Sequence, residues 1–281
     1  MSMDKTLYIE LFQPFAQYRN PFTFYYAQSY PLPPKSTIVG MLQNAVDDWY
    51  GNRYGLKKWW DNLKISVHGG FESAFWNYQQ LVKGNIQISE IENRILLVNQ
   101  GLPLYNDGIK SQRTPVYQQE LFNGHLYIFI RGDKKILNEV KKALDFSSKI
   151  LCLGRSEDII FIKKVKFVED VERKTVRKSI WLTYPTYIKQ RYKKDEREEV
   201  FPIKNEKYPV YSIPVKVIFK NSGRPIKNKA EFTKNTKRIV EFESVIYAGH
   251  DYVVYLKREA DIEKFRINDE IFKIPVEFGW L

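Results

Sequence analysis

The strongest constraint on this chain is the order in which its hydrophobic periods change. Thr6 to Gln13 alternates, with Leu7, Ile9 and Leu11 on one side and Tyr8, Glu10 and Phe12 on the other, and Pro14 closes the run. Helical spacing follows from about Ser36 to Tyr50, through Ile38, Met41, Leu42, Ala45 and Trp49, before Gly51 as the stop. A second strand reads Lys64 to Val67, with His68-Gly69-Gly70 as a bulge, and resumes through Phe71, Ser73 and Phe75. Leu126, Ile128 and Ile130 alternate with Tyr127 and Phe129 after Asn123-Gly124. Asp133 then caps a helix from Lys134 to Phe146, with Ile136, Val140, Ala143 and Leu144 on one face. Ile159 to Ile162 reads as a buried strand. Strand, helix, strand, strand, helix, strand is the βαββαβ ferredoxin-like unit.

That unit implies a sheet with one face under the helices and one face open. In its RNA-recognition version, aromatics on the open face stack bases. Tyr8, Phe12, Tyr127 and Phe129 fall there. The rest of the chain must also pack somewhere, and burial of the same face by a second domain is the favoured reading. Residues 80–120 are too long for a hairpin loop and read as an irregular β arm inserted into residues 1–170. From residue 171 the text changes. Residues 171 to 197 hold nine basic and three acidic side chains among Trp181, Tyr184, Tyr187 and Tyr192, and strand patterns return after them. Residues 171–281 are therefore assigned to a mostly β second domain, and the fold class is α+β.

The first helix has an unusual approach. Pro31, Pro33 and Pro34 fix an extended entry, and Pro34 suits the opening of a helix. Ser36 or Thr37 is expected to cap the first turn, so that free amides, hydroxyls and Lys35 together suit a phosphate. A capped helix entering a core is the plainer reading. Prolines stand where a nucleotide-triphosphate loop needs glycines, so Walker A is excluded. Gly40 inside the helix is expected to mark close packing.

Composition narrows the partners. The 281 residues carry 45 Lys and Arg against 33 Asp and Glu, a formal charge of +12, which favours polyanions, with a Lys-rich compositional bias as the alternative. No run reaches the ~18 apolar residues of a membrane span, and no long basic amphipathic helix suggests a membrane surface. No secretory signal is read at the N-terminus, so a cytoplasmic location is expected. A single cysteine, Cys152, excludes an intrachain disulfide and a cysteine-based metal site. No His-x-x-x-His and no defensible carboxylate pair is present, so no metal and no cofactor are expected. Arg19 lies among aromatics in Phe15 to Pro21, which suits unstacked bases, with buried loop aromatics as the alternative. Lys110, Gln112 and Arg113 lie beside hydroxyls in the arm, which suits a phosphate backbone, with a solvated charged loop as the alternative.

Four stretches, in order, resemble the fifth Cas protein family, the RAMP-superfamily subunit of the type I CRISPR surveillance complex, Cascade. They are Phe15-Ala16-Gln17-Tyr18-Arg19, Pro33 to Leu42, Gln112-Arg113-Thr114-Pro115, and Leu153-Gly154-Arg155-Ser156-Glu157-Asp158. They cover the first ~170 residues in the order of the unit; subtype I-B is the expected subtype. The resemblance implies a cytoplasmic, non-catalytic subunit in antiviral defence that holds the 5′ handle of the CRISPR RNA. It implies contacts with the backbone and large subunits, target DNA met only through the complex, no cofactor, and a β thumb near residues 80–120. By carry-over, Lys35, Ser36, Thr37, Arg19, Gln112, Arg113 and Arg155 are candidate RNA contacts. One branch of the family cuts precursor CRISPR RNA without metal, using Tyr, Lys and His. Here His125 and Tyr50 are the candidates for that chemistry, but Gly124 stands where that branch has a Lys. The other histidines are His68 and His250.

Overall fold

The computed structural model describes residues 4–23, 25–48, 58–83, 86–91, 94–99, 112–193, 198–204, 208–221, 236–249 and 253–281, with the backbone alone at 81–83, 86–91, 94–99, 112–114, 219–221 and 236–238. The described residues are mostly strand, with two α-helices. β1 (Asp4–Ala16) leads through the short β2 (Tyr26–Ala27) to α1 (Lys35–Val46). β3 (Lys64–Lys83) and β6 (Gln112–Asp133) flank a hairpin of β4 (Ile86–Ile91) and β5 (Arg94–Asn99). α2 (Lys134–Asp145) and β7 (Phe161–Phe167) follow.

The remaining strands serve two sheets and two small pairs. β10 (Thr186–Lys189), β13 (Val210–Asn221) and β14 (Thr236–Ala248) extend the main sheet, whose order is β13-β14-β10-β3-β6-β1-β7 with β2 alongside β6. β8 (Val171–Val176), β16 (Ala260–Ile267) and β17 (Glu270–Pro275) form a separate three-stranded sheet. β9 (Ser179–Trp181) pairs β15 (Val253–Tyr255), and β11 (Tyr192–Lys193) pairs β12 (Glu199–Val200). Within the main sheet β3, β6, β1 and β7 are neighbours and all antiparallel.

Alternation decides what each face of these four strands does. Leu7, Ile9 and Leu11, with Ile65, Val67, Leu126, Ile128 and Ile130, pack in one core with the buried faces of α1 and α2. Tyr8 and Phe129 point the other way, into a core with Phe265 and Phe272 of the three-stranded sheet. The Phe272 ring lies 5.1 Å from Phe129, 5.2 Å from Tyr127 and 6.2 Å from Tyr8. Full burial of each such ring contributes about 2–3 kcal/mol. Over this part of the sheet the aromatic face is covered by protein.

Helix ends follow local chemistry. The Asp133 carboxylate accepts from the amides of Lys135 (2.7 Å) and Ile136 (3.4 Å), so α2 is capped as its sequence suggests. α1 differs. Pro34 occupies the cap position, and neither Ser36 nor Thr37 makes a side-chain cap bond. The helix stops at Asp47 in the left-handed region, before Gly51, and the Asp48 carboxylate is taken by the Trp59 indole N–H at 2.9 Å. Gly40 is not a close-packing site: a Cβ there would meet nothing within 4 Å. Tyr50 and Trp49 lie outside the described residues.

Three strand readings are corrected. His68-Gly69-Gly70 is not a bulge, since its pairing to Tyr127, Leu126 and His125 runs without a shift. Gly69 instead has φ +115°, donates its amide to the Pro185 carbonyl at 3.1 Å, and has the His125 carbonyl where a Cβ would sit. The arm is not irregular at its base: β3 and β6 stay paired out to Lys83 and Gln112, so it continues two core strands. The strand after α2 begins at Phe161 and not at Ile159, and Ile159 and Phe161 are exposed.

Candidate nucleic-acid interface

Lys35 opens α1 beside β13 and the last residue of the chain. Its Nζ donates to the Leu281 carbonyl at 3.0 Å. Burial, and to a lesser degree Lys189 and Lys216, pull its ammonium down to about 8, while Asp61 and Glu243 pull the other way. Lys216 pairs with Asp61 at 3.1 Å. The helix start is thus a corner where Lys35, Lys189 and Lys216 meet Asp61 and Glu243, and Lys35 is half-buried and held by a backbone carbonyl. Ser36 and Thr37 beside it are half-buried too. The turn ahead is fixed by Tyr187, whose hydroxyl accepts from the Leu32 amide (3.1 Å) and donates to the Leu32 carbonyl (2.8 Å).

Arg155 is committed to carboxylates. Its guanidinium reaches Asp158 at 2.8 Å, Glu120 at 3.2 Å and Glu157 at 3.3 Å. Asp158 is fully buried and also accepts from the backbone amides of Gln17 (3.0 Å) and Arg155 (2.8 Å). Gly154, at φ +120°, makes room for it: a Cβ would lie 2.6 Å from the Asp158 Oδ2. The Leu-Gly-Arg-Ser-Glu-Asp stretch therefore ties three places together, including the start of the loop that carries the exposed Arg19, which is bridged to Ser29.

The remaining candidates are spread out. Gln112 and Arg113 pair by backbone with Lys83 and Val82 at the far end of the ribbon, and Lys110 lies outside the described residues. His125 is exposed and rests on Phe12, ring centroids 5.2 Å apart. His68 is buried against Phe129 and Phe272, with Ser66 Oγ 3.0 Å from its Nε2, and burial drives its imidazolium down to about 3. It is neutral at physiological pH. His250 lies outside the described residues. Lys35, Arg155 and His125 occupy three separate places. Among the described residues no cluster of His, Cys, Asp and Glu could hold a metal ion, and no helix is long and apolar enough to cross a membrane.

Sequence reasoning missed an aromatic belt at the base of the ribbon. Tyr26 stacks on Tyr117 at 5.4 Å and meets Trp76 edge-on at 6.0 Å, and Tyr78 leans on Tyr117 at 5.3 Å. Trp76 and Tyr78 are 47% and 51% exposed. Phe15, Phe75 and Phe122 form a second exposed group. These rings form an exposed aromatic cluster, of the residue types from which interaction surfaces are commonly built. The available signal was the aromatic density of Phe75-Trp76-Asn77-Tyr78 itself.

Comparison with solved structures finds similar chains. One is from a CRISPR RNA-guided surveillance complex, 12% identical, covering 96% of this chain and 91% of that one, with a TM-score of 0.45. Another is a CRISPR protein from Archaeoglobus fulgidus, 11% identical, covering 96% and 98%, TM-score 0.40. A third is from the Type III-B Cmr-beta complex bound to cognate target RNA and AMPPnP, 15% identical, covering 89% and 86%, TM-score 0.37. No curated protein matches. The family model described as CRISPR-associated protein (Cas_Cas5) matches residues 6–249. The chain belongs to that Cas5 family of CRISPR-associated proteins.

Proposed function

We propose that this chain is a non-catalytic CRISPR RNA-binding subunit of a type I Cascade complex. In this reading it holds the 5′ handle of the CRISPR RNA, contacts the backbone and large subunits, and acts in the cytoplasm in antiviral defence. Family membership over residues 6–249 carries the reading. It is supported by the charge of +12, by the Lys35, Lys189 and Lys216 corner, and by a long ribbon with an exposed aromatic base. We read β1, α1, β3, β6, α2 and β7 as a ferredoxin-like core within residues 1–170, with residues 171–281 as the second domain. Arg19, Lys35, Ser36, Thr37, Lys110, Gln112 and Arg113 are the proposed RNA contacts, and Arg155 positions the Arg19 loop through Asp158.

The alternative is a metal-independent endoribonuclease built on His125 and Tyr50. Such chemistry needs an acid and a base around one 2′-hydroxyl. The non-catalytic reading is supported by His125 resting on an apolar ring. The test is incubation of the purified protein with repeat RNA in EDTA. The expected result is bound, intact RNA whose affinity falls steeply with salt. Site-specific cleavage that His125→Ala abolishes overturns it in favour of the nuclease.

A further inference from the structure

The sheet face opposite the helices is made of rows that cross four strands. The lowest row is Lys166, Tyr8, Phe129 and Ser66, and the next is Lys164, Glu10, Tyr127 and His68. Phe265 and Phe272 cover the aromatic residues of these two rows. The third row is Phe161, Phe12, His125 and Gly70, and it runs past the cover. Phe161 is 56% exposed, and His125 is exposed. A Cβ on Gly70 would meet nothing within 4 Å, so the row ends in open backbone.

The three rings lie side by side. Phe12 is 5.2 Å from His125 and 6.2 Å from Phe161, with planes tilted by 47° and 32°. The ammonium of Lys163 stands 5.5 Å from the Phe12 centroid. The row adjoins an open groove of about 560 Å³ whose wall includes Gly69, Glu72, Asn123, Tyr184 and Tyr247. That volume is in the range of sites for small ligands.

We infer that Phe161, Phe12 and His125 form a platform for one unpaired nucleobase of single-stranded RNA, with the adjoining phosphate on Lys163. The inference rests on the RNA-binding reading above and names a place for it. Flat rings offer a π-face to any base, and a cation beside them suits the flanking phosphate. β7 is the edge of the sheet and carries Lys163, Lys164 and Lys166, so the platform borders a basic strand. Lysines on an edge also discourage strand pairing, but that role does not call for Phe161 beside them in solvent. An anionic strand with exposed bases fits both features; an apolar protein surface fits the rings and not the lysines.

The experiment measures binding of repeat RNA to the full chain, with single abasic positions scanned along the RNA. Phe161→Ala is expected to weaken binding about tenfold, the scale of one stacked base. One abasic position should cost wild type the same factor and cost Phe161→Ala nothing more, while Phe161→Tyr restores both. Wild-type binding with no change in Phe161→Ala, or with no abasic position coupled to it, overturns the platform and leaves the RNA reading standing. Loss of a Cascade subunit from Phe161→Ala with RNA binding intact overturns the platform in favour of a protein contact. Failure of the wild type to bind RNA, alone or in the assembled complex, overturns the RNA reading and the platform with it.

Discussion

The Arg155 guanidinium and the buried Asp158 carboxylate meet at 2.8 Å, and the same carboxylate holds the backbone amide of Gln17. One turn after α2 is thereby fastened to the end of β1. Removing one member of such a pair leaves an uncompensated charge away from water. Asp158→Ala is expected to lower stability by about 3–5 kcal/mol, seen as a lower denaturant midpoint at unchanged slope. Arg155→Lys should restore little, because an ammonium cannot make the fork that reaches Asp158 and Glu120 together. Full stability in Asp158→Ala would remove the fastening role.

His68 gives a pH dependence. Its imidazolium falls to about 3 in the folded chain because it is buried, against 6.5 in the open. Between those values the unfolded chain holds a proton that the folded chain lacks. Stability is therefore complete above about 6.5 and is lost as pH falls towards 3, by roughly 1.4 kcal/mol for each pH unit crossed. His68→Leu should lack this component. Parallel acid-unfolding curves for wild type and variant would contradict it.

Lys35 acts on the basic side. Its ammonium is lowered from 10.5 to about 8, chiefly by burial. Across that window the unfolded chain holds the extra proton, so stability rises with pH and the gain is lost as pH falls through 8. Lys35→Met should flatten this rise in denaturant unfolding. As a phosphate contact in the proposed RNA complex, Lys35→Gln should also reduce the slope of log affinity against log salt by about one. An unchanged slope removes Lys35 from the contacts.

The belt of Tyr26, Trp76, Tyr78 and Tyr117 separates stability from assembly. Trp76→Ala with Tyr78→Ala removes half-exposed rings, so unfolding should shift by no more than about 1 kcal/mol. Incorporation into a reconstituted Cascade should fall at least tenfold by pull-down, since exposed aromatic clusters supply anchor residues. Normal incorporation would assign the belt to something else.

Some of this molecule is plain in its sequence. Asp133 followed by Ile136, Val140 and Leu144 can do little but cap and seat a helix. Tyr8 between Leu7 and Ile9 states that the strand is greasy on both sides, and the structure supplies the second cover in Phe272. The aromatic belt leaves no two-residue hydrophobic period, because both sides of the ribbon are partly open at Phe75, Trp76, Asn77 and Tyr78. Arg155, an RNA-contact candidate by resemblance, is held by Glu157 and Asp158 within its own stretch and by Glu120, 35 residues back; only the last is out of reach of a local reading. Ile159 to Ile162 reads as buried because four apolar residues run together, whereas the fold leaves Ile159 and Phe161 exposed where the chain enters the edge strand β7.

The constant register of β3 on β6, from Lys64 and Arg131 to Lys83 and Gln112, limits how this molecule can vary in length. Adding one residue midway in either strand would turn every side chain beyond it to the opposite side, exchanging the belt for the backs of its own residues. Growth or trimming is therefore tolerated at the distal tip, where the two strands part. Changes of length there alter how far the ribbon reaches and leave its join to the base unchanged.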